Sequence, residues 1–182
     1  MSPRSDSYET IVDAAEAIVL EAGASHMTLD AVAKKAGVSK GGLFYHFPTK
    51  DALLEAMINR TVRAREESRR KILSGLADSP SRELKAYILT RSIRDQKLDR
   101  MGIPLLAALA HNPKLAEPLR KLVRRQYEKI VPPGAGFERA AVLALAADAL
   151  ALQELLSVSP FTEEQRSRIV DELLKLADES AL

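Results

Sequence analysis

Residues 28–50 read TLDAVAKKAGVSKGGLFYHFPTK, and this stretch constrains the fold more than any other. Leu29, Val32, Ala33 and Ala36 fall at i, i+3, i+4 and i+7, one face of a short helix. Thr28 suits its N-cap, Asp30 puts negative charge in its first turn, and Gly37 suits the left-handed residue that ends it. Val38 is an apolar plug in the turn, and Ser39 can cap a second helix. There Leu43 and Phe47, four apart, share the anchoring face. About 100° per residue places Gly41 and Tyr45 opposite, Gly42 and Phe44 on the flanks, and His46 nearer the buried side. Two glycines and a tyrosine bury little in their own domain but let the helix backbone approach another surface closely. Pro48 stops the helix, and Thr49 can cap the next one. Lys50 then stands at a helix N-terminus, a natural place for a phosphate contact. The layout is a helix-turn-helix, which lays its second helix in the DNA major groove.

The chain as a whole is rich in Ala and Leu, has four Tyr, four Phe and no Trp, and shows no convincing strand. An all-α fold follows. A first helix is expected over 7–22, with Ile11, Ala15, Ile18, Val19 and Ala22 buried and Gly23 as its stop. A long helix should run from Thr49 to about Leu76, its second half, RAREESRRKIL, being charged and solvated. Ser79 and Pro80 suit the start of a helix reaching about Arg94. Residues 95–102 read as a loop, and Pro104 opens a short apolar helix. Asn112-Pro113 opens another, with Pro118 able to bend it. Pro132 to Gly136 is the clearest loop. The segment AAVLALAADALALQELL is apolar nearly all round, so its helix must be covered on several sides. Asp148 interrupts it and needs a partner, a helix–helix or interface hydrogen bond more readily than a ligand. Thr162 to Gln165 forms a capping box for the last helix.

The absence of Cys removes disulfides, thiolate metal sites and Cys nucleophiles. His26, His46 and His111 have no metal-pair spacing, and no Gly-rich phosphate loop follows a strand. No catalytic residue, metal or cofactor is expected, and the chain reads as a non-enzyme. With no apolar signal core and no run long enough to span a bilayer, it reads as cytoplasmic. A net charge of +2 is not that of a nonspecific DNA coat, and residues 1–51 carry more acids than bases. DNA binding must therefore rest on a few placed contacts and on dimerisation. Lys40, Lys50, Lys34, Lys35 and an N-terminal arm around Arg4 are the available cations.

From about Tyr8 to Ala56 the chain resembles the DNA-binding domain of the TetR family of bacterial transcriptional regulators, most densely over TLDAVAKKAGVSKGGLFYHFPTKDALLEAM. The resemblance implies a three-helix helix-turn-helix domain over 1–50 and a helical ligand-binding and dimerisation domain over 51–182. It implies DNA contacts from Thr28, Ser39, Lys40, Gly41, Gly42, Phe44, Tyr45, His46 and Lys50. Two residues depart from the family's habit. Phe44 stands where Tyr is common, which removes a hydroxyl, and Gly42 stands where a polar residue is frequent. The family holds a small molecule between its C-terminal helices. Candidates here are Tyr87, Arg91, Met101, Leu105, His111, Tyr127 and Gln153, which combine apolar walls with a few polar groups. The family also dimerises through its last two helices, which points to Leu143, Ala147, Leu150, Ala151, Ile169, Leu173 and Leu176. The implied function is a homodimeric repressor on a palindromic operator, released by an unknown small molecule. The alternative is a TetR-like DNA-binding protein that answers to a protein partner through its C-terminal domain, with a small helical enzyme as a distant third reading.

Overall fold

The computed structural model describes residues 3–131 and 136–179, apart from the side chains of 3–6, 25 and 96–98. The expected loop at 132–135 and the Arg4 side chain lie outside the described residues. Among the described residues there are nine α-helices and no strand: α1 (Pro3–Ala22), α2 (Leu29–Ala36), α3 (Lys40–His46), α4 (Lys50–Gly75), α5 (Arg82–Ser92), α6 (Gln96–His111), α7 (Glu117–Ile130), α8 (Phe137–Leu155) and α9 (Glu163–Glu179). Among the described residues, no helix is long and apolar enough to cross a membrane. The chain forms two units, one of Met1–Val62 with Gln96–Leu119, the other of Arg63–Asp95 with Arg120–Leu182.

The first unit is built around α1, which starts four residues before the expected position. Ile11, Val12, Ala14, Ala15, Ile18 and Val19 of α1 are buried, while Ala22 is exposed. They pack with Val32, Leu43, Phe47, Leu53 and Met57 into one core. Arg60 on α4 ties down the polar side of α1 by ion pairs to Glu9, Asp13 and Glu16, the Asp13 contact at 2.6 Å. Burial works against the Arg60 charge, but these acids outweigh it and hold its pKa above the ordinary value.

α6 departs from the expected loop at 95–102. Helix runs through Gly102 and Pro104, because Met101, Leu105 and Ala108 bury one face in the first unit's core, beside Leu115. An interior Gly and Pro cost about 1 and 3 kcal/mol. Burying a Met or Leu returns about 1.5–3 kcal/mol each, so the buried face decides. After α6, Asn112 caps a 3₁₀ turn at Pro113–Ala116 by accepting from the Lys114 N–H at 3.2 Å. Pro118 sits at the second position of α7, where no N–H is needed, and the turn replaces the expected bend.

In the second unit, Leu84, Tyr87 and Ile88 of α5 pack on Ala140, Leu143, Ala144 and Ala147 of α8 and on Val170, Leu173 and Ala177 of α9. The alanines keep α8 close to its neighbours. α5 starts at Arg82, whose N–H meets the Ser79 carbonyl at 3.1 Å, two residues later than the Ser79–Pro80 start expected. Ser81 instead turns its hydroxyl to Asp178 on α9, at 2.6 Å. The second half of α4 is not wholly solvated either. Arg69 is only 4% exposed and pairs with Glu83. Glu66 accepts from the Gln126 amide of α7 at 3.0 Å. The capping box forms in both directions between Thr162 and Gln165, at 3.0 and 3.2 Å.

Asp178 offers a pH test. Hydrogen bonds from Lys85 and Ser81 hold its carboxyl below the ordinary value. A lowered acid stabilises the fold above its unfolded pKa and loses that contribution as pH falls through the folded one. Asp178→Asn should therefore lower thermal stability at neutral pH and flatten the loss of stability below about pH 4. Melting curves of both proteins across that range check it; parallel curves would mean that Asp178 is not coupled to folding.

Candidate nucleic-acid interface

α3 is held from both ends by its own residues. The Ser39 hydroxyl accepts from the Gly42 N–H at 3.1 Å, and the Phe47 N–H closes on the Leu43 carbonyl at 2.8 Å. Leu43 and Phe47 are buried in the first unit's core. The helix is thereby fixed with Gly41, Gly42, Phe44 and Tyr45 outward, Phe44 being 48% exposed and Tyr45 73%. His46 is half-buried between two rings, edge-on to Tyr8 at 6.2 Å and to Tyr45 at 5.2 Å. An exposed Tyr and Phe on the same side as a glycine pair form a surface with rings for packing, one hydroxyl for bonding and an uncovered helix backbone.

The preceding turn has the expected geometry. Thr28 caps α2 by accepting from the Ala31 N–H at 3.2 Å, and Gly37 ends it at φ +67°, a conformation that L side chains rarely adopt. Both capping hydroxyls, Thr28 and Ser39, are exposed and keep a proton to donate to a phosphate.

The cations are more occupied than the sequence suggested. Lys40 reaches Asp30 at 2.9 Å and Lys35 reaches Glu21 at 2.7 Å. Such exposed pairs are worth about 0–1 kcal/mol, so a phosphate can take over either lysine. Lys50 differs. It is half-buried, with its Nζ donating to the Ala24 carbonyl at 2.8 Å. This residue, expected to face phosphate at the start of α4, spends one of its three N–H donors on fastening the segment that follows α1. Thr49 still caps α4, at 3.1 Å from the Ala52 N–H.

In the second unit, Tyr87, Arg91 and Tyr127 converge on Asp148. The Tyr87 hydroxyl donates to both carboxylate oxygens at 2.8 Å, and the Tyr127 hydroxyl donates at 3.1 Å. Arg91 Nε lies 2.7 Å from the same carboxylate, and its guanidinium carbon lies 4.9 Å from the Tyr87 ring centre. Burial pushes both phenols above their ordinary range, so they remain donors. Burial opposes the Arg91 charge, but Tyr87 and Asp148 outweigh it and raise its pKa. Asp148, which the sequence reads as a helix–helix or interface partner, accepts hydrogen bonds from α5 and α7. It also organises three of the ligand candidates, and its only sequence signal was its isolation among Ala and Leu. Gln153 belongs to the same helix, with its Oε1 buried and unpartnered. Met101 and Leu105 lie instead in the first unit's core, where their packing holds α6. His111 is exposed at the last residue of α6.

The interface candidates divide as well. Leu143, Ala147 and Leu173 are buried in the protomer's own core, so that core already uses them. Leu150, Ala151, Ile169 and Leu176 are half-buried. The exposed apolar face of α8 is another row, Val142, Leu145, Ala149 and Leu152, continued by Leu156 just past the helix end, at i, i+3, i+7, i+10 and i+14. A helix that is apolar all round thus presents one face to its own core and a second, regular one to solvent.

The comparisons with known proteins agree with this architecture. The sequence pattern of bacterial regulatory proteins of the tetR family matches residues 11–57. That of the tetracyclin repressor-like C-terminal domain matches residues 81–178, more than half of the chain. The chain belongs to the TetR family of bacterial transcriptional regulators. It is 28% identical over 172 residues to the HTH-type transcriptional regulator BetI of Stenotrophomonas maltophilia, covering 88% of this chain and 87% of that one. The crystal structure of the regulator SCO7518 from Streptomyces coelicolor A3(2) superposes with a TM-score of 0.73 at 22% identity, over 94% of this chain and 98% of that chain. A Saccharomonospora viridis regulator in complex with choline gives 0.73 at 18% identity, over 94% and 96%. Members of this family are transcriptional regulators, not enzymes, and in general respond to ligands.

Proposed function

We propose that this TetR-family regulator is a cytoplasmic repressor that grips a palindromic operator as a homodimer and is released by a small molecule bound in its second unit. The observation that carries the reading is the outward face of α3, where Tyr45 and Phe44 stand exposed together with Gly41 and Gly42 while Leu43 and Phe47 anchor the helix from behind. That arrangement suits entry into a major groove, with Thr28, Ser39 and Lys40 positioning the helix on phosphates. Lys50 supports it by holding Ala24.

Dimerisation is supported by the α8 row. Soluble monomers seldom expose a long apolar stripe, and a second copy of the same row would cover it. The same row would also serve a different protein partner, and the oligomeric state of the isolated protein separates the two readings. Release requires a ligand that binds the non-operator conformation more tightly.

Tyr45→Ala tests the interface. Its side chain is largely outside the core, so folding and melting temperature should stay close to wild type while operator affinity falls about tenfold or more. Lys40→Ala should weaken operator and random DNA alike and reduce the salt slope by about one unit. Gel shifts across a salt series read both. Wild-type affinity in both variants would remove α3 from the interface.

A further inference from the structure

The cluster around Asp148 has the makings of a cation receptor already filled by the protein's own arginine. Tyr87 and Tyr127 hold the carboxylate through their hydroxyls, and their rings stand edge to face at 5.9 Å and 84°. Without Arg91 the cluster keeps an oriented carboxylate, two aromatic rings and one uncompensated negative charge. Two phenols and a carboxylate ask for one positive group, and Arg91 supplies it through Nε at 2.7 Å while lying over the Tyr87 ring. A plain strut between α5 and α8 gains little from such chemistry, because a buried ion pair roughly breaks even against a well-packed apolar pair. The site is also reachable, since the Asp148 side chain is 34% exposed and that of Arg91 18%. Among the described residues, Arg91 is hydrogen-bonded or ion-paired to Asp148 and to Tyr87, one turn back on its own helix, so it can swing out without unfolding α5. An anionic ligand would meet the Asp148 charge, whereas a cation would replace the Arg91 charge with its own.

We infer that Asp148, Tyr87 and Tyr127 form the effector's recognition site for an organic cation carrying N–H donors, of the alkylguanidinium or amidinium class, and that Arg91 is its internal competitor. This rests on the reading that the second unit holds an effector. It adds the ligand class and a regulatory step in which the cation takes the Arg91 position and frees the α5 side chain.

The test empties the receptor with Arg91→Ala and titrates it with methylguanidinium chloride, with sodium chloride at equal ionic strength as the control. Nuclear magnetic resonance or a thermal shift reads binding. Saturable binding by Arg91→Ala is expected, about tenfold or more weaker in wild type because Arg91 must first leave, and absent in Arg91→Ala/Asp148→Asn. Tetramethylammonium, which lacks N–H donors, should bind more weakly. If Arg91→Ala does not fold, Arg91→Gln removes the charge at similar volume and gives the same comparison. Absence of Asp148-dependent binding in the folded variant would overturn the inference, as would tetramethylammonium binding as tightly as methylguanidinium. Binding that depends on Asp148 while operator affinity ignores the cation would sustain the receptor and overturn the small-molecule release proposed above.

Discussion

Leu145→Glu is expected to give a folded monomer that no longer holds an operator. Leu145 is 59% exposed on α8, so the protomer's core loses little when it changes. In a dimer built on Val142, Leu145, Ala149, Leu152 and Leu156, two copies of the new carboxylate would be buried without partners. Leaving a charge buried and unpaired costs about 3–5 kcal/mol, enough to part the subunits at micromolar concentration. Loss of the second recognition helix then removes the avidity of two linked half-sites, a factor of about 10²–10⁴. Sedimentation should show half the wild-type mass, circular dichroism a retained helical content, and gel shifts only weak binding. Ala147→Arg behaves differently. Ala147 is 2% exposed within the protomer, so that substitution should unfold the second unit rather than report on an interface. A Leu145→Glu protein that remains dimeric at unchanged stability would place the interface elsewhere.

The contrast between Leu145 and Ala147 shows where sequence reading reaches its limit. Caps and stops depend on residues within four positions of one another. Thr28 with Ala31, Gly37 in its left-handed turn, Ser39 with Gly42 and Thr162 with Gln165 were therefore legible. The faces of α3 were legible for the same reason, since its polar, glycine and apolar positions alternate with the helical period. α8 offers no such contrast. Apolar residues surround it, and only the packing of α5 and α9 decides which row faces inward. α6 is not legible locally, because Gly102 and Pro104 stay helical only through the core that Met101 and Leu105 enter. The burial of Arg69 is not legible either, because its partner, Glu83, lies fourteen residues away on another helix. The Asp148 cluster draws on three helices, so its members could be named one by one but not brought together.

Gly41→Ala is expected to move stability and operator binding in opposite directions. A Cβ added at Gly41 meets nothing within 4 Å, so the fold itself does not require glycine there. Alanine is better than glycine in a helix interior by about 1 kcal/mol, and α3 should gain up to that amount. The place that does require a bare backbone is the outer surface of α3, beside Tyr45, where a bound duplex would lie. There the added methyl would hold the helix away from the groove and weaken binding by about tenfold or more. Gly42 has a different reason to be glycine. Its added Cβ would come to 3.3 Å from the Ser39 hydroxyl that caps α3, so Gly42→Ala should gain helix propensity and strain the cap, with little net change in stability. Neither glycine offers a side chain to base edges, so sequence choice should lean on backbone approach and on DNA shape. The competing account gives the reading to the stretch around Arg4, which begins α1, through the minor groove. Melting temperatures, and affinities for operator and random DNA, measured on Gly41→Ala and on a chain lacking residues 1–6, separate the two. If Gly41→Ala binds as wild type while the truncated chain loses discrimination, that stretch is the reader and α3 only docks.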